Sequence, residues 1–267
     1  MVPFALFCAA LQVQAAPPAK PQTPPAAQAD DSNAKPPVSG GTPTITDPAE
    51  LSAPGWLEFD PGSFKDLDPS AGFGTPFTFK YTALNRRLQY LLGQDGLVVQ
   101  RGSLKGVGDT YAGAHYLFRT QEHGGYDVAL KGLLKIPTAS DSAGGTGKSD
   151  YSAFLLVSRD LTKWGFHGDV NVGISSIGNA AMAGYSTQSM AALSTTTPLP
   201  GGRWQYTNEV VYFSALPGQY ARVTTMHGFA YLAHTYEVYS LAVQVRLEGD
   251  IPRYQLLLAA SFNIAKF

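Results

Sequence analysis

The stretch Trp164-Gly165-Phe166-His167-Gly168-Asp169-Val170-Asn171-Val172-Gly173-Ile174-Ser175-Ser176 decides the fold. Trp164, Phe166, Val170, Val172 and Ile174 share one face with Gly168, and His167, Asp169 and Asn171 occupy the other. A period of two is the signature of a β-strand with one apolar and one polar side. The same pattern recurs on both sides of this stretch. Val128, Leu130, Leu134 and Ile136 alternate with Asp127, Lys131 and Lys135, and Tyr239, Leu241, Val243, Val245 and Leu247 alternate with Ser240, Gln244 and Arg246. A half-buried soluble sheet alternates in the same way, with its polar face in water. Length separates the two cases, because soluble strands average about five or six residues and these run about twice that, as a tilted membrane strand must. In a membrane the polar face has to point inward, since a Lys or Arg facing mid-bilayer lipid costs about 2–4 kcal/mol. Register is then strongly specified.

Reading outward from this stretch gives about twelve strands, an even number as in single-chain bacterial barrels. They are expected at Trp56–Pro61, Thr75–Ala83, Arg87–Gln100, Gly108–Arg119, Tyr126–Pro137, Tyr151–Asp160, Trp164–Ser176, Tyr185–Thr197, Trp204–Leu216, Tyr220–Ala233, Tyr236–Leu247 and Tyr254–Phe267. Asp95-Gly96 inside the third is either a bulge or a turn. Tight connections at Leu84–Arg86 and Leu161–Lys163 fall at periplasmic places in the count, and the longer Thr138–Ser149 and Gly178–Gly184 fall at extracellular ones. Two features disturb the pattern. Phe154–Val157 is apolar on both faces, and Trp204–Phe213 alternates poorly. The chain ends on an aromatic, Phe267, in opposite phase to Phe262 and Ile264, with Ser261 and Asn263 where apolar residues are expected. A bulge repairs that mismatch.

The amino-terminal part reads differently. Val2–Leu11 is apolar and is followed by Val13-Gln14-Ala15-Ala16, as in a secretory signal cleaved after Ala15, although no Lys or Arg precedes the run. Residues 16–50, rich in Pro and Ala, are expected to form a disordered periplasmic spacer, because they offer little apolar surface to offset ordering. The barrel is assigned to residues 51–267. The only cysteine, Cys8, lies in the signal, which leaves no thiol for a disulfide, a zinc site or nucleophilic catalysis. A net charge of −1 with 15% charged residues gives no footprint for nucleic acid.

Three stretches resemble the outer-membrane barrels named for the MetA pathway of phenol degradation. They are Gly106-Val107-Gly108-Asp109-Thr110-Tyr111-Ala112-Gly113-Ala114-His115-Tyr116-Leu117-Phe118; Leu133-Leu134-Lys135-Ile136-Pro137-Thr138 with Gly147 and Asp150-Tyr151; and Leu156–Leu161 with Ser158, Arg159 and Asp160. The resemblance covers roughly residues 51–267 and rests on strand and turn grammar. It implies an outer-membrane channel or carrier allowing passive passage of small solutes, including hydrophobic or aromatic compounds. The implied partners are outer-membrane lipids, a small-molecule solute and the barrel-insertion machinery, the last engaged through Phe267.

The residues expected to line the lumen are Lys131, Lys135, Arg159, His167, Asp169, Asn171, Glu209, Gln244 and Arg246. Charged walls are how pores sort solutes, and mixed signs argue against strong ion selectivity. Other chemistry finds little support. Gly144-Gly145-Thr146-Gly147-Lys148-Ser149 resembles a phosphate loop, but Ser142 stands where its first Gly belongs. Among His115, His123, His167, His227 and His234 there is no His-Glu-x-x-His pair. His167 and Asp169 share a face and are expected to be part of a hydrated wall rather than a metal site. No Gly-x-Ser-x-Gly is present, so no catalytic site and no cofactor are expected. The alternatives to a channel are a lipid-modifying hydrolase and a structural or adhesive barrel with a plugged lumen.

Overall fold

The computed structural model describes residues 35–39, 43–67, 72–100, 103–123, 125–140, 145–178, 184–249 and 252–267. The expected signal at residues 1–15 and most of the expected spacer lie outside them. The strands are β1 (Trp56–Asp66), β2 (Gly72–Gly74), β3 (Phe77–Thr82), β4 (Leu88–Gln94), β5 (Leu97–Gln100), β6 (Ser103–Val107), β7 (Thr110–Arg119), β8 (Asp127–Ile136), β9 (Asp150–Leu161), β10 (Phe166–Gly178), β11 (Tyr185–Pro198), β12 (Trp204–Phe213), β13 (Arg222–His234), β14 (Glu237–Glu248) and β15 (Tyr254–Lys266). Each long strand pairs antiparallel with its neighbour in the chain, and β15 returns to pair with β1. Twelve strands thus close a ring, in the order β1, β3, β4, β7 and then β8 to β15. Closure satisfies the backbone groups of every strand, the condition for crossing hydrocarbon with a sheet. No helix among the described residues is long and apolar enough to cross a membrane.

The early strands are broken rather than short. β2 pairs with the far end of β1 while β3 pairs with its near end, so the two form one interrupted strand; β4 and β5 do the same. Asp95-Gly96 is the break between β4 and β5. Gly96 has φ +67° there, and a Cβ on it would lie 1.8 Å from the Thr75 carbonyl oxygen. Only glycine fits. The hairpin β5–β6 rises past the rim, and β6 was not expected from the sequence.

The alternation resolves into an outside and an inside. On β10, Val170, Val172 and Ile174 are 44%, 47% and 53% exposed, whereas Asp169 and Asn171 are 6% and 1% exposed. This inverts the soluble arrangement. Aromatic pairs girdle the outer surface at the end carrying the first residues of β1 and the last of β15. Trp164 stacks with Phe166, Trp204 meets Tyr231 at 4.9 Å, and Tyr239 meets Phe262 edge-on at 5.8 Å. At the other rim Tyr151 lies 6.2 Å from Tyr185. Two such belts are what a barrel presents to the two interfaces of a bilayer.

The terminal mismatch is settled by a bulge. Glu58 pairs with Asn263 and Leu57 with Ala265, which makes Ile264 the extra residue. Ser261 and Asn263 therefore face inward, both about 1% exposed, and the phase is restored beyond the bulge. The Phe267 ring meets outward-facing Tyr81 edge-on at 5.9 Å, and its N–H donates to the Gly55 carbonyl.

Candidate functional site: the lumen and the segment inside it

The inward faces of the strands do not enclose water alone. The expectation of a spacer extending to residue 50 fails at its end, because residues 35–39 and 43–53 run inside the barrel. Pro36 and Pro37 carbonyls accept from Asn263 Nδ2 at 2.8 and 3.2 Å, and the Val38 N–H donates to Thr235 at the terminus-side mouth. At mid-height the Thr46 N–H donates to Glu209 Oε2 at 2.5 Å, and Lys131 Nζ lies 2.5 Å from Asp47 Oδ2. Asn171 grips the same turn twice: its Oδ1 accepts from Asp47 N–H, and its Nδ2 donates to the Asp47 carbonyl, both at 2.8 Å. The segment then descends along the wall. The Ala49 N–H donates to Ser158 Oγ at 2.7 Å, and Ser52 bonds Thr82 and Gln89. Its backbone escapes the cost of burial because polar wall side chains stand in for water. The composition argument failed here because it counted only the segment's own apolar surface.

The segment also explains the wall's apolar patches. Ala49, fully buried, packs with Leu117, Ala129 and Leu156, with Leu51 and Phe154 alongside. Phe154 and Leu156 thus point inward because the segment covers them. On the neighbouring wall Val211 packs with Met190 and Ala192, with Phe213 beside them, which accounts for the poor alternation of β12.

Of the nine candidates, Lys131, His167, Asp169, Asn171 and Glu209 face the lumen between its terminus-side mouth and mid-height. Lys131, Asn171 and Glu209 converge on residues 46–47. Lys135 also faces inward but lies in the outer half, where it pairs with Asp150 at 2.7 Å and Asp109 at 3.5 Å. Its ammonium also donates to Thr146 Oγ1 at 2.9 Å, so the stretch resembling a phosphate loop supplies a ligand to a wall lysine. Gln244 and Arg246 share the phase of buried Ser240 and Ala242 on β14. Arg159 is a correction. It is exposed and shares its phase with Leu155, so it lies on the outer face near the tight turn. The residue of that pair facing inward is Asp160, whose Oδ1 lies 2.7 Å from His167 Nδ1.

Sequence reasoning missed a second charged group. Lys80 Nζ lies 2.6 Å from Asp60 Oδ2 and 3.2 Å from Glu58 Oε1, and Glu58 also accepts from the Ser39 N–H and hydroxyl. The signal was present as Leu57-Glu58-Phe59-Asp60, a period-two pattern cut short by Pro61. His115, 3% exposed, likewise faces the lumen on β7. The carboxyl groups of the segment respond to these surroundings. Burial raises Asp47, but the Lys131 charge and hydrogen bond outweigh it and hold the group below the usual carboxylate range. Burial pushes Glu50 up to about 7 against the pull of His167, with Asp127 adding to the rise.

Two cavities flank the segment. One of about 320 Å3 is lined by Asp47, Lys80, Lys131 and Tyr111 together with Leu91 and Leu133. The other, about 550 Å3, is lined by Glu50, His167, Asp169, Ser194 and Ser240 together with Leu51 and Leu232. Both join polar groups to apolar ones, as a wall that binds and releases solutes requires.

No family model matches the chain, and no curated protein matches it. Among solved structures, the NanC porin aligns with a TM-score of 0.57 at 9% identity over 78% of this chain and 100% of its own. An outer-membrane channel from Pseudomonas putida F1 aligns with a TM-score of 0.57 at 13% identity, covering 80% of this chain and 97% of the other. At such identities the likeness concerns architecture, and on that ground the chain has the fold of a bacterial outer-membrane β-barrel.

Proposed function

We propose that this chain is a passive channel of the bacterial outer membrane, narrowed from within by its own residues 35–39 and 43–53, and that it belongs with the barrels named for the MetA pathway. The observation that carries the reading is a closed wall, apolar outside, around a lumen lined with buried charged and polar side chains. Family placement draws support from where the quoted motifs fall. Gly108-Asp109 marks the entry to β7, and Asp109 Oδ1 accepts the Ala139 N–H across the rim at 3.0 Å. Leu91 and Leu133 beside Lys131 suit a small solute with an apolar body, hydrophobic or aromatic. Outer-membrane lipids meet the apolar face, and Phe267, with its ring on the outer surface, is the proposed signal to the insertion machinery.

Carboxylates outnumber lysines among the buried lumen groups, with Glu58, Asp60, Asp109, Asp127, Asp169 and Glu209 against Lys80, Lys131 and Lys135. A modest preference for cations is therefore expected. Planar-bilayer recordings of the purified chain test this: discrete conductance steps are expected, with cation preference reduced in Asp169→Asn and increased in Lys131→Met. Selectivity unchanged in both variants would contradict the lumen assignment. The segment inside the barrel also favours a second reading, a structural barrel with a permanently filled lumen. Absence of current from the wild-type chain, with conductance steps appearing only once residues 43–50 are replaced by a Gly/Ser linker, would support that reading over the channel.

A further inference from the structure

The point where the segment meets β10 gathers more carboxylates than the local cations balance. His167 Nε2 lies 2.9 Å from Asp169 Oδ1 and 3.8 Å from Glu50 Oε1, and one ligand atom from each of the three falls within 4.8 Å of the others. The opposite ring nitrogen, Nδ1, is held by Asp160 Oδ1 at 2.7 Å. Asp169 is itself fixed by the Ser158 and Ser194 hydroxyls at 2.6 and 3.0 Å. A fourth carboxyl supplies an independent sign. Asp127 is 4% exposed, and its Oδ2 is buried with no hydrogen-bond partner. Glu50 Oε2 is likewise buried and unpartnered. Gln121 ties the two together, its backbone N–H donating to Asp127 Oδ1 at 2.9 Å and its Nε2 to Glu50 Oε1 at 3.2 Å.

Two buried carboxylate oxygens on residues joined through one glutamine, neither with a donor, are costly unless a proton or a cation serves them. One imidazole shared among Glu50, Asp160 and Asp169 cannot also balance Asp127. We propose that Glu50, His167 and Asp169 form a binding site for a divalent transition cation of the zinc class, with Asp127 outside the ligand set as a nearby balancing carboxylate, and that the cation clamps the lumen segment to the barrel wall. The donor set of one imidazole nitrogen and carboxylate oxygens suits such a cation. The Asp160 contact on the far ring nitrogen is the arrangement that orients a metal-binding histidine. The cavity of about 550 Å3, lined by Glu50, His167 and Asp169, provides the entry path.

The test is calorimetric titration of Zn2+ into the purified full chain, free of any histidine tag, in detergent. One saturable site is expected. Its affinity should fall by more than about tenfold in His167→Ala and in Glu50→Gln, and stay unchanged in His227→Ala, a histidine on the outer face of β13. Glu50 lies outside every strand, so its variant reports on the site without disturbing the wall. No saturable binding in the wild type, or wild-type affinity in either site variant, would overturn the assignment. Channel activity plays no part in these readouts, so the site stands or falls separately from the proposed function.

Discussion

Two strands that are hydrogen-bonded to each other, β9 and β10, solve the same problem in different ways. Along β10 His167, Asp169 and Asn171 alternate with Phe166, Gly168, Val170 and Val172, and Asn171 grips the backbone of Asp47. Along β9 the inward face includes Phe154 and Leu156, which pack under Leu51 and Ala49, while the outward Leu155 between them is equally apolar. What differs is the occupant each strand meets inside the barrel. The inward face records the segment that lies against it, polar where a backbone must be satisfied and apolar where a side chain must be covered. A barrel filled with water alone would have no use for Leu156, which is fully buried.

Removing the occupant should erase the contrast and gives the largest expected effect. Replacing residues 43–50 by a Gly/Ser linker should raise single-channel conductance several-fold and leave Leu156 facing water. Unchanged conductance would mean that the segment does not govern the lumen. Leu156→Ala sharpens the comparison from the wall side. It should weaken docking of the segment by roughly 2–5 kcal/mol, the cost of a buried leucine left as a cavity, whereas Leu155→Ala on the lipid face should leave docking unaffected. Protease susceptibility of the segment reads both. The smallest effect is set by pH. Asp47 is lowered by Lys131, with Lys80 and His115 assisting, so the docking it contributes is present above its free value of 3.8. That contribution should disappear only as pH falls through the lowered value, and conductance noise should be flat from neutral pH down to about pH 5 as far as Asp47 governs it.

Much of the wall was legible because lipid imposes a strict rule on outward residues. The period of Val170, Val172 and Ile174 placed His167, Asp169 and Asn171 inside without any knowledge of contacts. The segment was not legible for the opposite reason. Thr46, Asp47 and Ala49 lie in a stretch poor in large apolar groups, and the partners that hold them, Glu209, Asn171, Lys131 and Ser158, are supplied by strands far along the chain. Arg159 was misplaced because Phe154–Val157 gives no phase, being apolar on both faces, and only the pairing of Asp160 with His167 fixes it. The break at Asp95-Gly96 is local in sequence, but the Thr75 carbonyl that demands a glycine comes from the matching break between β2 and β3.

The measurement that bears most directly on the fold is lipid-phase quenching of a fluorophore placed in turn at residues 171 and 172, in liposomes, with Cys8 replaced by Ser. A barrel with an apolar exterior and a polar lumen requires strong quenching by brominated acyl chains at Val172→Cys and little at Asn171→Cys. Equal quenching at both positions, or the reverse order, would contradict it.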